Sequence, residues 1–101
     1  MRELIEFAAQ RNVQIIPEIE MPGHTTEVFA AFPQLSCKGD TLKIKSWTKG
    51  YGVRSEVFCA GNDETFHFLE NILDEIIALF PSQYVHIGGD EAPKMHWKAC
   101  P

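Results

Sequence analysis

The chain has 101 residues, 45% of them hydrophobic, with 14 acidic against 9 basic residues and a net charge of −5. That length allows one domain at most, and an acidic chain without a basic run is poorly suited to nucleic acid or an anionic membrane, which need clustered Lys and Arg. No apolar stretch approaches spanning length, and Met1-Arg2-Glu3-Leu4 leads into an amphipathic pattern instead of a signal peptide.

In chain order, Leu4, Ile5, Ala8 and Ala9 recur at helical spacing among Arg2, Glu3, Glu6, Gln10 and Arg11. The helix they predict starts almost at the first residue without a Ser, Thr, Asp or Asn cap, so the natural chain is expected to extend upstream. Asn12 ends it, because its short amide tolerates the left-handed conformation of a C-terminal turn. Val13 to Ile19 reads as the first strand, and Pro17, which lacks a ladder donor, marks its end or an irregular place in it. Thr25 caps a short second helix packed by Val28, Phe29, Ala31 and Phe32, with Glu27 in its first turn and Pro33 as its stop.

Residues 34–61 form a connection longer than the usual crossover loop, which points to a functional or subdomain-like insertion. Its Trp47, Tyr51, Val53, Val57 and Phe58 argue against disorder. Asn62 or Asp63 caps the longest helix, from Asp63 to Phe80 by periodicity. Phe66, Leu69, Leu73, Ile76, Ile77 and Phe80 make its apolar face, opposite Glu70, Asn71, Asp74 and Glu75. Tyr84-Val85-His86-Ile87 follows as a second, buried strand, then a short helical piece near Lys94 to Lys98.

Two strands joined through helices are expected to run parallel with a right-handed crossover. The fold class is therefore α/β, with no internal domain boundary across residues 1–101. A two-stranded parallel sheet has open edges on both sides, and a whole (β/α)₈ barrel takes about 250 residues. The expectation is a piece of a larger parallel α/β domain, whose bare edges would favour non-specific self-association in isolation. Parallel strands put their carboxyl ends on one edge. Glu20 and His24, after the first strand, should thus face the same region as Asp90 and Glu91, after the second.

Gly88 and Gly89 free the backbone to turn or to lie against a ligand, and deliver Asp90 and Glu91 at the strand's end. Glu91 is suited to general acid work: burial and the like charge of Asp90 would raise its pKa. The same pair also reads as a helix N-cap before Pro93. Adjacent residues at a strand end point in different directions, so Asp90 and Glu91 are not a facing pair of the kind that flanks a glycosidic bond at about 5–9 Å. Glu18 or Glu20 would have to reach across, unless the substrate supplies its own nucleophile.

His24, fixed after Pro22-Gly23, can orient a carboxylate or cap the following helix. His86, between Val85 and Ile87, reads as a satisfied interior histidine. His67 and His96 belong to no constellation. Trp47, Trp97, Tyr51 and Tyr84 could stack on a sugar, although each reads first as core. His24, His86, Glu20, Asp90 and Glu91 make a conceivable metal cluster without a tight zinc spacing such as HExxH. Cys37, Cys59 and Cys100 allow a Cys37–Cys59 disulfide plus a free thiol, or three free thiols, and show no close paired spacing that suggests zinc.

Two stretches together carry a resemblance. His86-Ile87-Gly88-Gly89-Asp90-Glu91, preceded by Phe80-Pro81-Ser82, resembles the catalytic signature of the β-N-acetylhexosaminidases of glycoside hydrolase family 20. Ile16-Pro17-Glu18-Ile19-Glu20-Met21-Pro22-Gly23-His24 resembles that family's preceding strand motif. The resemblance implies a partial (β/α)₈ TIM barrel, with this chain as about its third and fourth strands. It implies that Glu91 is the general acid/base and that Asp90 orients the substrate's 2-acetamido group and stabilises an oxazolinium-like intermediate. His24, Glu20 and His86 take supporting, positioning roles. The substrate would be a β-linked N-acetylglucosaminide or N-acetylgalactosaminide, and the acetamido oxygen the nucleophile, with retention. No cofactor and no metal are implied, and the parent's setting would be exported, periplasmic or lysosomal.

The family's sugar-binding arginine, tryptophans and tyrosine come from strands outside this stretch. The remainder of the barrel is thus an expected partner, and the isolated piece is expected to be inactive. The alternatives are a metal-assisted hydrolase on a parallel α/β scaffold and a non-catalytic carbohydrate-binding or structural relative.

Overall fold

A computed structural model describes residues 1–40 and 52–100. Among them are helices α1 (Arg2–Ala9), α2 (Thr26–Ala31), α3 (Asp63–Leu79) and α4 (Met95–Ala99), with a 3₁₀ turn at Pro33–Leu35. No helix among the described residues is long and apolar enough to cross a membrane.

Local signals place the helix ends. Asn12 sits at φ 56°, and the Asn12 and Val13 N–H groups donate to Ala9 O and Ala8 O at 3.0 Å each. This is the paired closure that a left-handed residue permits after a helix. Asn62 caps α3 by accepting from the Glu64 N–H at 3.0 Å, with Asp63 and Glu64 in the first turn where negative charge meets the positive dipole end. Thr25 holds the cap position of α2, but its hydroxyl makes no cap bond and donates to Pro22 O at 3.3 Å instead. It ties the helix back to the turn that precedes it.

The core is small. Phe29, Leu35 and Phe58 are buried together, with Met21, Val28, Phe68 and Leu69 packed against them. Phe29 and Phe58 meet edge-to-face with centroids 5.3 Å apart, an arrangement the ring quadrupoles favour. The described ends of the long connection therefore belong to the core. Ser36 and Phe58 form an antiparallel bridge, and the Cys59 N–H donates to Leu35 O at 2.8 Å. The readings on Trp47 and Tyr51 lie outside the described residues.

Two expectations about helix faces are corrected. Leu4 is 53% exposed, Phe66 50% and Ile77 58%, whereas Thr65 is buried on α3. Phe66 and Ile77 lie about three turns apart on one edge of the α3 face, and both stay at least half exposed among the described residues. The face that reaches the core is turned toward Thr65, Phe68 and Leu69.

The two predicted strands are extended segments that meet in a single bridge, Glu18 to His86, and that bridge is parallel. The His86 N–H donates to Pro17 O and the Ile19 N–H to His86 O, both at 2.9 Å. A regular ladder would continue from Met21 to Gly88 O, but the Met21 N–H goes to Ile87 O at 3.0 Å. The Gly88 N–H turns to the ring nitrogen Nδ1 of His86 at 3.1 Å. Gly88, at φ 69°, thus slips the register by one residue and ends the pairing. The sequence pattern predicted strands; local bonding reduces them to one bridge. Tyr84 and Ile87 are exposed, at 67% and 52%, so the second segment is not buried among the described residues.

Candidate active site

The register slip aims the backbone after it. With Gly88 at φ 69° and Gly89 at φ 108°, the chain turns so that the Gly89 N–H donates to Glu20 Oε1 at 3.0 Å. A Cβ added at Gly88 would collide with the Glu20 carboxylate. Glycine is needed there for both reasons that the pair suggests: a left-handed turn and a close approach. Glu20 is therefore spent on holding the 88–89 turn and does not pair with Asp90 or Glu91.

The first segment turns through a cis Met21–Pro22 peptide, and Gly23 is buried against the backbone of Asp90, Glu91 and Ala92. The tips of the two segments are thus packed together. His24 Nε2 lies 3.3 Å from Glu91 Oε2 and 3.8 Å from Asp90 Oδ2. His24 and Glu91 both have left-handed backbones, at φ 54° and 45°. Neither is glycine, and such conformations cost roughly 1–3 kcal/mol and gather where a side chain must be aimed. The contact itself stabilises little, about 0–1 kcal/mol for pairs this exposed. Its effect is positional: one imidazole nitrogen lies beside two adjacent carboxylates at a common edge.

The burial expected around the carboxylates is absent among the described residues, with the side chains of Asp90 68% and Glu91 56% exposed. His86 is likewise not an interior residue. Its side chain is 61% exposed, and Nδ1 lies 3.2 Å from Glu18 Oε1. That nitrogen can accept from the Gly88 N–H or, protonated, donate to Glu18, but not both at once. His86 therefore serves the turn and sits apart from the carboxylate pair. Of the five residues considered as a metal cluster, His24, Asp90 and Glu91 bring donor atoms within 4.8 Å of one another. The Tyr84 side chain is largely exposed among the described residues. Trp97 is structural, its Nε1–H donating to Phe58 O at 2.8 Å.

One grouping escaped the sequence reading. Cys37, Cys59 and Cys100 carry free thiols whose sulfurs lie within 4.8 Å of one another. Burial pushes the Cys37 thiol up to about 12, reinforced by the other two cysteines. Burial also opposes ionisation of Cys59. Hydrogen bonds from Cys37, the Gly61 N–H, Cys100 and the Asn62 N–H outweigh it and bring its pKa below the ordinary thiol value. Separations of 22 and 41 residues gave no local spacing to detect.

The model of the glycosyl hydrolase family 20 catalytic domain matches residues 1–101. A β-hexosaminidase of Porphyromonas gingivalis is 46% identical over 99% of this chain and 12% of its own length. The crystal structure of the β-N-acetylhexosaminidase from Bacteroides fragilis superposes with a TM-score of 0.79 at 43% identity, over 99% of this chain and 18% of that one. The Flavobacterium johnsoniae chitobiase superposes with a TM-score of 0.87 at 34% identity, over 99% and 15%. The chain thus spans roughly an eighth to a fifth of the curated relatives it matches, 12% and 20% in two of them. Matched from end to end by the family model, with its two extended tips packed around His24, Asp90 and Glu91, the chain belongs to the catalytic domain of glycosyl hydrolase family 20.

Proposed function

We propose that the protein carrying this chain hydrolyses terminal, non-reducing N-acetyl-β-D-hexosamine residues with retention, using the substrate's own acetamido group as nucleophile. The observation that carries this reading is the contact of one histidine, His24, with two adjacent carboxylates at 3.3 and 3.8 Å. Neighbouring carboxylates held at one edge fit two different tasks at one sugar better than a pair flanking a bond. Glu91, as the acid, donates its proton to the glycosidic oxygen as the bond to C1 breaks. The acetamido oxygen closes on C1 to give an oxazolinium ion, and Asp90 orients the amide and offsets its positive charge. Glu91, now a carboxylate, takes a proton from water, which attacks C1 and reopens the ring.

His24 positions both acids, Glu20 fixes the turn that presents them, and His86 supports that turn. In this reading the chain supplies about the third and fourth strands of a (β/α)₈ barrel. The remaining strands cover the exposed apolar residues and enclose the sugar. Enclosure contributes much of the rate, so the activity belongs to the whole protein and not to these 101 residues alone. The test is a pair of aryl glycosides differing only at C2. The full-length protein is expected to turn over the 2-acetamido compound and to leave the 2-hydroxy compound untouched; equal turnover of both rejects the mechanism.

The donor atoms of His24, Asp90 and Glu91, within 4.8 Å, favour a metal-assisted hydrolase as the second reading. Activity abolished by a strong chelator and restored by a divalent ion would select it.

A further inference from the structure

We propose that Cys37, Cys59 and Cys100 form a three-thiolate site for a soft, closed-shell metal ion. Nothing in the glycosidase reading uses these residues, and they lie on three separate pieces of the fold. Cys37 follows Ser36 and Cys59 follows Phe58, the two residues of the antiparallel bridge. Cys100 closes α4, its N–H donating to Trp97 O at 3.3 Å. Trp97 in turn bonds to Phe58 O at 2.8 Å, so α4 is held against the same bridge. The sulfurs therefore converge because the backbone places them.

Cys59 and Cys100 sulfurs are 3.5 Å apart, and all three lie within 4.8 Å of one another. Three sulfurs at about 2.3 Å from one tetrahedral zinc would sit slightly under 4 Å apart, close to the spacing already present. Cys59 is only 5% exposed and Cys37 and Cys100 are half-buried, so the sulfurs are shielded without being sealed. The Asn62 N–H donates to Cys59 O at 3.4 Å, which fixes the backbone that carries the Cys59 sulfur.

Soft thiolates select zinc(II) or copper(I) over hard cations. Each ligating thiol releases its proton to solvent, leaving a net charge of −1 with zinc(II) and −2 with copper(I). A largely buried site favours the smaller charge, hence zinc, with its fourth position open to water. The ion would join the 36–39 turn, the 58–62 segment and the end of α4, which follows the Asp90–Glu91 tip.

The test is metal binding by the reduced, chelator-stripped full-length protein, titrated separately with zinc(II) and with copper(I). Stoichiometric binding, three sulfur neighbours at about 2.3 Å by zinc-edge X-ray absorption, and a thiolate-to-metal band with cobalt(II) are expected. Copper(I) held more tightly than zinc by the same three sulfurs would keep the site and assign its ion. Cys37→Ser, Cys59→Ser and Cys100→Ser should each weaken binding about 100-fold or more. Absence of stoichiometric binding would overturn the proposal, as would fewer than three sulfurs around the ion. So would a Cys59–Cys100 disulfide that persists in mild reductant and leaves Cys37 alone. The absorption measurement uses the unmodified protein, so it decides the question even if a variant fails to fold.

Discussion

Gly88 shows how much a single position does. It slips the register, gives its N–H to His86 and leaves room for the Glu20 carboxylate. Gly88→Ala in the full-length protein must adopt φ near +69° and displace Glu20. We expect a loss of about 1–3 kcal/mol in urea unfolding, with a fall in kcat as the turn before Asp90 shifts. An unchanged denaturation midpoint would contradict this. His24→Ala is expected to lower kcat with little change in stability, because exposed pairs contribute only about 0–1 kcal/mol. At this scale the sequence was legible where one residue type has one physical use: Asn12 in the left-handed turn, Asn62 as cap, the two glycines before the carboxylates. It did not reveal that Glu20 would be tied to Gly89, or that His24 and Glu91 would take left-handed backbones. Those depend on contacts between positions 69 and 67 residues apart.

Among the elements, α3, its cap and the inward placement of Leu69, Leu73, Ile76 and Phe80 followed from periodicity, whereas the exposure of Phe66 and Ile77 did not. Phe66 and Ile77 fit an apolar stripe as well as Phe68 and Leu69 do, and only the position of Phe58 decides which of them is covered. The strands were legible as extended, parallel segments, but the slip at Gly88 that limits them to one bridge arises from a side chain bonding its own backbone. Two substitutions probe the packing. Phe29→Ala, at a fully buried position, should destabilise the full-length protein by about 3–5 kcal/mol. Trp97→Phe keeps the ring but leaves Phe58 O without its donor, and should cost about 1–3 kcal/mol if water cannot replace the bond. Thermal or urea unfolding measures both, and a neutral Trp97→Phe would show that α4 is not anchored through this bond.

The whole molecule presents much apolar surface: Leu4, Phe7, Val13, Ile16, Phe66, Ile77, Tyr84, Ile87 and Met95 are all at least half exposed. A monomer rarely leaves so many large apolar side chains in water. In the proposed barrel they face neighbouring strands and helices, and the carboxylates gain the burial that the described residues do not provide. The proposed mechanism depends on Glu91 handing a proton to the departing oxygen, and leaving-group dependence tests that step most directly. In the full-length protein, Glu91→Gln should cut kcat/KM about 10²–10⁴-fold on a β-linked N-acetylglucosaminide with a poor alkyl leaving group. It should do far less harm on one with a strongly acidic phenol, which departs without protonation. Equal losses on both substrates, or none on either, would contradict the assignment of Glu91 as the acid.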